Sequence, residues 1–390
     1  VSLHYNLNKA ESESINYIHL QQKVMKKSLI LLLSVLTLFS CERLFCPHDN
    51  RKIEVVINDI PFKTEVYYRI PYTLKTCEWE KEGLKLQRIE ILECYTNRIL
   101  QTIEQEDLPF VHKDPLPSNP EISSDKISNY YLSIQLPIEL SNNKPSRISH
   151  RFILKDTLLH KYVTEEGGKF TPRINEVPLS ISSPVKGDNW IFINQSTNGY
   201  HFYTMFFVGG KLWRGERFAF DNLQLNDQMD NFYEGDPKVN ESYFNYRDTL
   251  YAVADGTIHK LTDGRPQNNG DAQDVVFASI DEYGGNYVIQ DIGNGLYAFY
   301  AHCAPNEFFV AQGDFVKEGD PIGLLGNSGN STAPHLHFQI TNGPSLFFSN
   351  GQPFVIKSYT KVGDFETGES SPAAYTNAMM EVRSVISFGG

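Results

Sequence analysis

Alternation with a period of two dominates the apolar and polar positions of this chain. Leu132, Ile134, Leu136, Ile138 and Leu140 alternate with Ser133, Gln135, Pro137 and Glu139. Successive strand side chains point to opposite faces, so the run predicts a strand with one buried and one wet face. Pro137 has no amide hydrogen to donate, which puts that strand at a sheet edge. Similar runs occur near 52–57, 64–74, 84–96 and 148–155, with polar loops such as 113–120 between them. Several short strands in this order predict an antiparallel Ig-like β-sandwich over residues 52–183.

Residues 184–189 read as a seam, after which glycine and aromatics become more frequent. Residues 200–208 and 211–221 look like two strands joined at Gly209-Gly210, where paired glycines accept the positive φ of a tight turn. Further strands are expected at 250–261, 275–280, 286–292, 296–302 and 336–341, with Asn294-Gly295 as a second hairpin turn. No long helical period and no internal repeat stands out. The expectation is a mostly β protein whose second domain, residues 184–390, is an antiparallel β domain.

The N-terminus follows a different pattern. Met25-Lys26-Lys27 precedes an apolar run over 29–39 and then Ser40-Cys41. Basic residues, a short apolar core and a small residue form the layout of a secretory signal peptide. Leu38-Phe39-Ser40-Cys41 resembles a bacterial lipobox, whose cysteine is lipidated. Residues 25–40 are therefore expected to be removed, Cys41 to carry lipid and anchor the protein to an envelope membrane, and 41–51 to act as a tether. Residues 1–24 lie upstream of a complete signal, with Met25 expected as the true start. Cys46, Cys77, Cys94 and Cys303 would then sit where disulfides are allowed, and Cys77 and Cys94 could pair across two strand-like runs.

Composition narrows the function. The 390 residues carry 35 Lys+Arg against 47 Asp+Glu, a net charge of -12. That excess argues against a nucleic-acid binder, which gathers positive charge against phosphates.

Candidate chemistry gathers between 250 and 341. A strand-like run ends in His302, and Pro334-His335-Leu336-His337-Phe338 forms a His-x-His pair. On a strand, His335 and His337 face the same way, about 7 Å apart, so one can bind a metal while the other handles protons. Such a pair can also be surface decoration. His112, His150 and His160 are isolated and read as surface or strand histidines, and His259 as a solvent-facing one. Asp271, Asp274, Asp281 and Glu282 read as a solvated acidic loop without calcium-site spacing. Gly326-Asn327-Ser328-Gly329 lacks the lysine of a phosphate loop. Cys303 lies next to His302 on a strand and should face away from it.

The order of Asp255-Gly256, Gly285-Asn286, Tyr300-Ala301-His302, Gly313-Asp314, Gly326-Asn327-Ser328-Gly329 and His335-Leu336-His337 resembles the lysostaphin-like (LytM-type) zinc metallopeptidases over about residues 186–345. The resemblance implies a lysostaphin-like fold and one zinc ion. It also implies hydrolysis of peptidoglycan stem peptides or cross-bridges in the cell envelope. Asp221 and His337 match two of the family's zinc ligands, while His302 and His335 match its catalytic histidines. His335 would act as general base, and His302 would orient or stabilise the oxyanion.

The family's remaining ligand, a His four residues before the Asp, is replaced here by Arg217. A guanidinium has no lone pair for a metal. Three outcomes are open. Arg217 could pair with Asp221 and exclude zinc. Another group, with His201 the best candidate, could complete the site. Or two protein ligands could hold metal weakly. His201 reaches the Asp221 face only if the 200–221 hairpin carries a bulge, and is otherwise a strand residue outside the site. The competing function is therefore a catalytically degenerate relative that binds wall peptides or regulates another hydrolase.

Overall fold

The computed structural model describes residues 53–76, 79–108, 130–195, 197, 199–208, 211–270 and 282–389. The expected signal peptide, Cys41, Cys46, Cys77, His112 and the acidic positions Asp271, Asp274 and Asp281 lie outside the described residues. The described chain is nearly all β. None of its helices is long and apolar enough to cross a membrane.

Eight strands form the first half. They are β1 (Glu54–Asn58), β2 (Phe62–Lys63), β3 (Tyr67–Thr76), β4 (Leu84–Glu93), β5 (Ile99–Ile103), β6 (Tyr130–Glu139), β7 (Ile148–Asp156) and β8 (Tyr162–Phe170). One sheet pairs β3 with β1, β2 and β6, and the other runs β5-β4-β7-β8. Alternate residues of the two sheets, among them Ile70, Tyr72, Leu74, Leu132, Ile134, Ile89, Ile91 and Phe152, close one shared core. The result is a sandwich. Among the described residues β6 pairs with β3 alone, so Pro137 does sit on an edge strand.

His150 is a strand histidine, the second of its two readings: it is fully buried in β7, bonded to the Tyr72 hydroxyl at 2.8 Å and the Gly168 carbonyl at 3.1 Å. The wet face expected of β6 needs correction at Ser133, while Glu139 on the same face is exposed. Ser133 and its cross-strand neighbour Thr73 are both fully buried, because the rest of the chain packs against that side of the sheet. Phe62, on β2, belongs to the hydrophobic core of the second half.

The second half is built on one large sheet. Its strands are β9 (Leu179–Ile181), β10 (Trp190–Ile193), β13 (Phe220–Gln224), β14 (Thr249–Tyr251), β15 (Gly256–Thr262), β16 (Asn286–Asp291), β17 (Tyr297–Phe308), β18 (Phe315–Val316), β19 (Pro321–Leu325), β20 (Leu336–Thr341), β21 (Phe354–Asp364), β22 (Ser370–Ala378) and β23 (Ser384–Ser387). A separate small hairpin joins β11 (Phe206–Val208) to β12 (Lys211–Trp213). The main path is β18-β15-β16-β17-β20-β13-β10-β23-β21-β22. Because β9 already pairs with β21, the large sheet begins ahead of the seam expected at 184–189. Asn294 and Gly295 both take positive φ in the turn between β16 and β17, as a tight hairpin requires.

The expected hairpin over 200–221 is only partly strand. Tyr200–Tyr203 is a one-turn helix, α1, and Gly215–Phe218 is a turn of 3-10 helix. β11 and β12 keep just three residues each. Consecutive burial of His201 and Phe202 explains the change. A strand would send them to opposite faces, whereas a helical turn lets both point inward. Gly199 allows the chain to fold back just before α1: a Cβ there would lie 1.9 Å from the Asn194 carbonyl carbon.

Candidate metal and hydrolytic site

Strand register builds half of the site. Across the centre of the large sheet, Ala301 stands opposite His337 and His337 opposite Asp221. Directly opposed residues of antiparallel strands share a face. Asp221 and His337, far apart in sequence, are thereby brought side by side, with His337 Nδ1 3.0 Å from Asp221 Oδ1. His335, just ahead of β20, faces the same cavity, with its Nε2 3.7 Å from Asp221 Oδ1.

A bulge supplies the next group. Val288 pairs with Tyr300 and Asn286 with Cys303, so Ala301 and His302 together oppose Tyr287. Strict alternation would turn His302 away from the Ala301 face. Instead His302 adopts φ 67, and both residues line the cavity. Re-aiming a side chain beside a functional site is a known use of β-bulges. Cys303 returns to the core, where it is buried, as expected for a residue facing away from His302.

The third element is α1. His201 Nε2 lies 3.1 Å from Asp221 Oδ2, and its ring centroid is 4.7 Å from that of His337. The ligand atoms of His201, Asp221 and His337 all lie within 4.8 Å of one another, and all three residues are buried. Arg217 takes no part. It does not pair with Asp221, the first of the outcomes left open by the sequence. Its Nε donates to Asp59 Oδ2 at 2.8 Å and its Nη1 to Ser133 Oγ at 3.1 Å. On the 3-10 turn, Arg217 no longer shares a strand face with Asp221.

Hydrogen bonds fix what each ring presents. Gln339 donates its amide to the Leu346 carbonyl, and its Oε1 lies 2.9 Å from His337 Nε2. His337 thus has an acceptor at each ring nitrogen, and its Nδ1 stands against the Asp221 carboxylate at 3.0 Å, where a proton or a metal ion would join them. His201 points its other nitrogen, Nδ1, at Glu216 Oε2 3.5 Å away. Donors at zinc-ligand distance and tetrahedral angles stand about 3.3 Å apart, close to both contacts with Asp221. The set of two imidazoles and one carboxylate therefore fits a zinc ion.

The charges follow the same plan. Burial pushes His201 down, but Asp221 and Glu216 outweigh it and carry its pKa to about 10. Burial likewise raises Asp221, yet His201 and His335 hold it well below the usual carboxylate range. The other two histidines are the reverse. Burial lowers His335, and burial with neighbouring His335 and His337 drives His302 well below its ordinary value. His335 Nδ1 donates to the Ala333 carbonyl and His302 Nδ1 to the Ser328 carbonyl, each at 2.8 Å. Both rings are therefore neutral, with Nε2 lone pairs free for the cavity.

That cavity, about 250 Å³, is walled by Tyr283, Leu346 and Phe347 and floored by these histidines. It adjoins a second hollow of about 220 Å³ that shares Gly284, Ala301, Leu346 and Phe347 with it. Together they give a groove with an apolar wall on one side of the polar cluster. Glu216 and Gln339 were not singled out from sequence. Each is legible only as a partner of a histidine placed by the fold. The Gly326–Gly329 loop, dismissed as a phosphate loop, seats His302 through the Ser328 carbonyl.

Residues 244–353 match the model of Peptidase family M23. The chain carries a Peptidase M23 domain of the LytM/lysostaphin type. The matched segment contains His302, His335 and His337 but begins after Asp221. Peptidoglycan DD-endopeptidase ShyA of Vibrio cholerae is 35% identical over 89 residues, covering 23% of this chain and 20% of that protein. Lysostaphin of Staphylococcus staphylolyticus is 40% identical over 91 residues, covering 22% and 18%. The crystallised catalytic domain of lysostaphin from Staphylococcus simulans shares 27% identity over 30% of this chain and 81% of that one, with a TM-score of 0.20. The chain spans about a fifth of the length of the curated relatives it matches. Relatives of the M23 domain thus include peptidoglycan endopeptidases.

Proposed function

We propose that this protein is a zinc-dependent metalloendopeptidase that hydrolyses peptide cross-links of bacterial peptidoglycan. The observation that carries the reading is the convergence of His201, Asp221 and His337, with His337 Nδ1 3.0 Å and His201 Nε2 3.1 Å from the Asp221 carboxylate. Bound among them, zinc supplies Lewis-acid activation of a peptide carbonyl and of water. His335 takes the proton of the attacking water, since its Nε2 carries a lone pair and its Nδ1 is tied to Ala333. His302, neutral for the same reason, offers a second lone pair. It donates to an oxyanion only after receiving a proton, and its ring centroid is 4.7 Å from that of His335. One proton shared by the two rings can thus pass from water to the leaving amine. The Leu346 and Phe347 wall keeps the substrate's chain against the cluster and excludes water.

The degenerate alternative rested on Arg217 at a ligand position. His201 beside Asp221 and Arg217 bonded to Asp59 favour the catalytic reading over it. A lipid on Cys41 and an Ig-like character for the sandwich complete the reading, the second favoured by β3 and β6 sharing one sheet while β4, β5, β7 and β8 share the other. The test is zinc content of the purified full chain together with incubation with cross-linked muropeptides. One zinc per chain and cleavage, both lost in His337→Ala, are expected. A chain that binds wall peptides but neither zinc nor cuts would overturn the reading.

A further inference from the structure

The residues around His201 have little support of their own. Alpha-helical turns this short are unstable in isolation, and α1 holds four residues. Phe202 packs into the core of the second half, and the polar support of the turn comes from the sandwich. Arg69, on β3, donates to the Thr197 carbonyl at 3.3 Å. Ser133, on β6, reaches the Met205 sulfur at 3.9 Å. The Arg217 guanidinium lies over the Phe202 ring, 4.2 Å from its centroid. Arg217 is itself held by Asp59 and Ser133, both from the sandwich, while Arg214 adds a second cation to Asp59 at 3.3 Å. Phe202 is the residue next to His201. Among the described residues, none of the sandwich lines the cavity, so the sandwich supports the site from behind rather than covering it.

We propose that the N-terminal sandwich is a positioning element of the metal centre: Asp59, through Arg217 and its stack on Phe202, holds the one-turn helix that presents His201 to Asp221 and His337. Arg217, which stands where the family resemblance places a ligand, thus serves the replacement ligand indirectly. A planar guanidinium suits this task because it can stack on an aromatic ring and bond in its own plane at once. Asp59 is the counter-charge that makes its full burial tolerable. The inference rests on the zinc reading for its consequence, but not for the contacts themselves.

The experiment uses the full chain with Asp59→Asn, the milder Ser133→Ala, and Glu65→Gln as control. Glu65 is also buried between the two halves, bonded to Ser384 and Tyr359 and paired with Lys361 rather than with Arg217 or Phe202. Hydrogen exchange of the 199–205 amides, measured without metal, is one readout. Zinc affinity by chelator competition is the other. Asp59→Asn is expected to speed exchange at Phe202 and Thr204 and to weaken zinc about tenfold, the low end for groups that orient a ligand. Ser133→Ala should do the same to a smaller degree, whether or not Asp59→Asn folds. Glu65→Gln should lower the melting temperature with both readouts unchanged. Wild-type exchange in both Asp59→Asn and Ser133→Ala, or an equal change in Glu65→Gln, would overturn the proposal. If the wild-type chain bound no zinc while Asp59→Asn still loosened 199–205, the metal reading would fall and the positioning of α1 would stand.

Discussion

His150 and His201 are both buried, yet they do opposite things with a proton. His150 sits in the sandwich core among Tyr72, Phe152 and Phe170. A hydroxyl and a carbonyl satisfy its ring, and burial lowers its pKa to about 4. His201 sits between two carboxylates, and its pKa rises to about 10. Burial alone therefore says little about a histidine. The neighbours decide whether the site rejects positive charge or requires it, and a cluster that requires it is suited to a metal ion.

The sharpest way to test this contrast is to remove each ring. His201→Ala should reduce muropeptide cleavage to background and abolish stoichiometric zinc, while His150→Ala should keep both and lose stability in a denaturant titration. Cleavage surviving in His201→Ala would make that residue a bystander. Removing the general base alone should be milder. His335→Ala is expected to lower the cleavage rate roughly 10²- to 10⁴-fold with zinc content unchanged, as read by metal analysis of the same sample.

Acid titration probes the other half of the comparison. The folded pKa of His150 lies below that of the unfolded chain, so the unfolded state binds more protons between pH 6.5 and 4. The stability contributed at this site is full above pH 6.5 and falls as pH drops through that window, by about 3 kcal/mol in all. Chemical denaturation of His150→Gln between those pH values should show a shallower loss than the native chain. The smallest effect is expected at Gln339. Gln339→Ala frees His337 Nε2 and should weaken zinc binding roughly 10- to 100-fold while the chain stays folded, by chelator competition.

Much of the frame was legible in the chain. Strand-like runs anticipated β1, β3, β4, β6 and β7 in the first half and β15, β16, β17 and β20 in the second, and Pro137 marked an edge. His335-Leu336-His337 revealed two rings on one face because alternation is a local property. The pairing of Asp221 with His337 followed from a family pattern and is realised through the register of β13 on β20. Other parts could not be read. The Ser133 face looked wet because its cover is a different half of the molecule. Residues 200–203 looked like strand because aromatic and apolar residues suit both states, and only burial of adjacent His201 and Phe202 selects a turn. His302 obeyed no alternation, since a bulge at positive φ re-aims it.

By itself, the sequence determined which residues could form strands and which side chains carry lone pairs or charge, because propensity, periodicity and acid–base chemistry belong to single residues and their near neighbours. Tertiary structure alone decided that Arg217 meets Asp59 rather than Asp221, and that His201 enters the site. Both outcomes depend on contacts between segments more than a hundred residues apart or on a turn held by such contacts, and no local pattern encodes them.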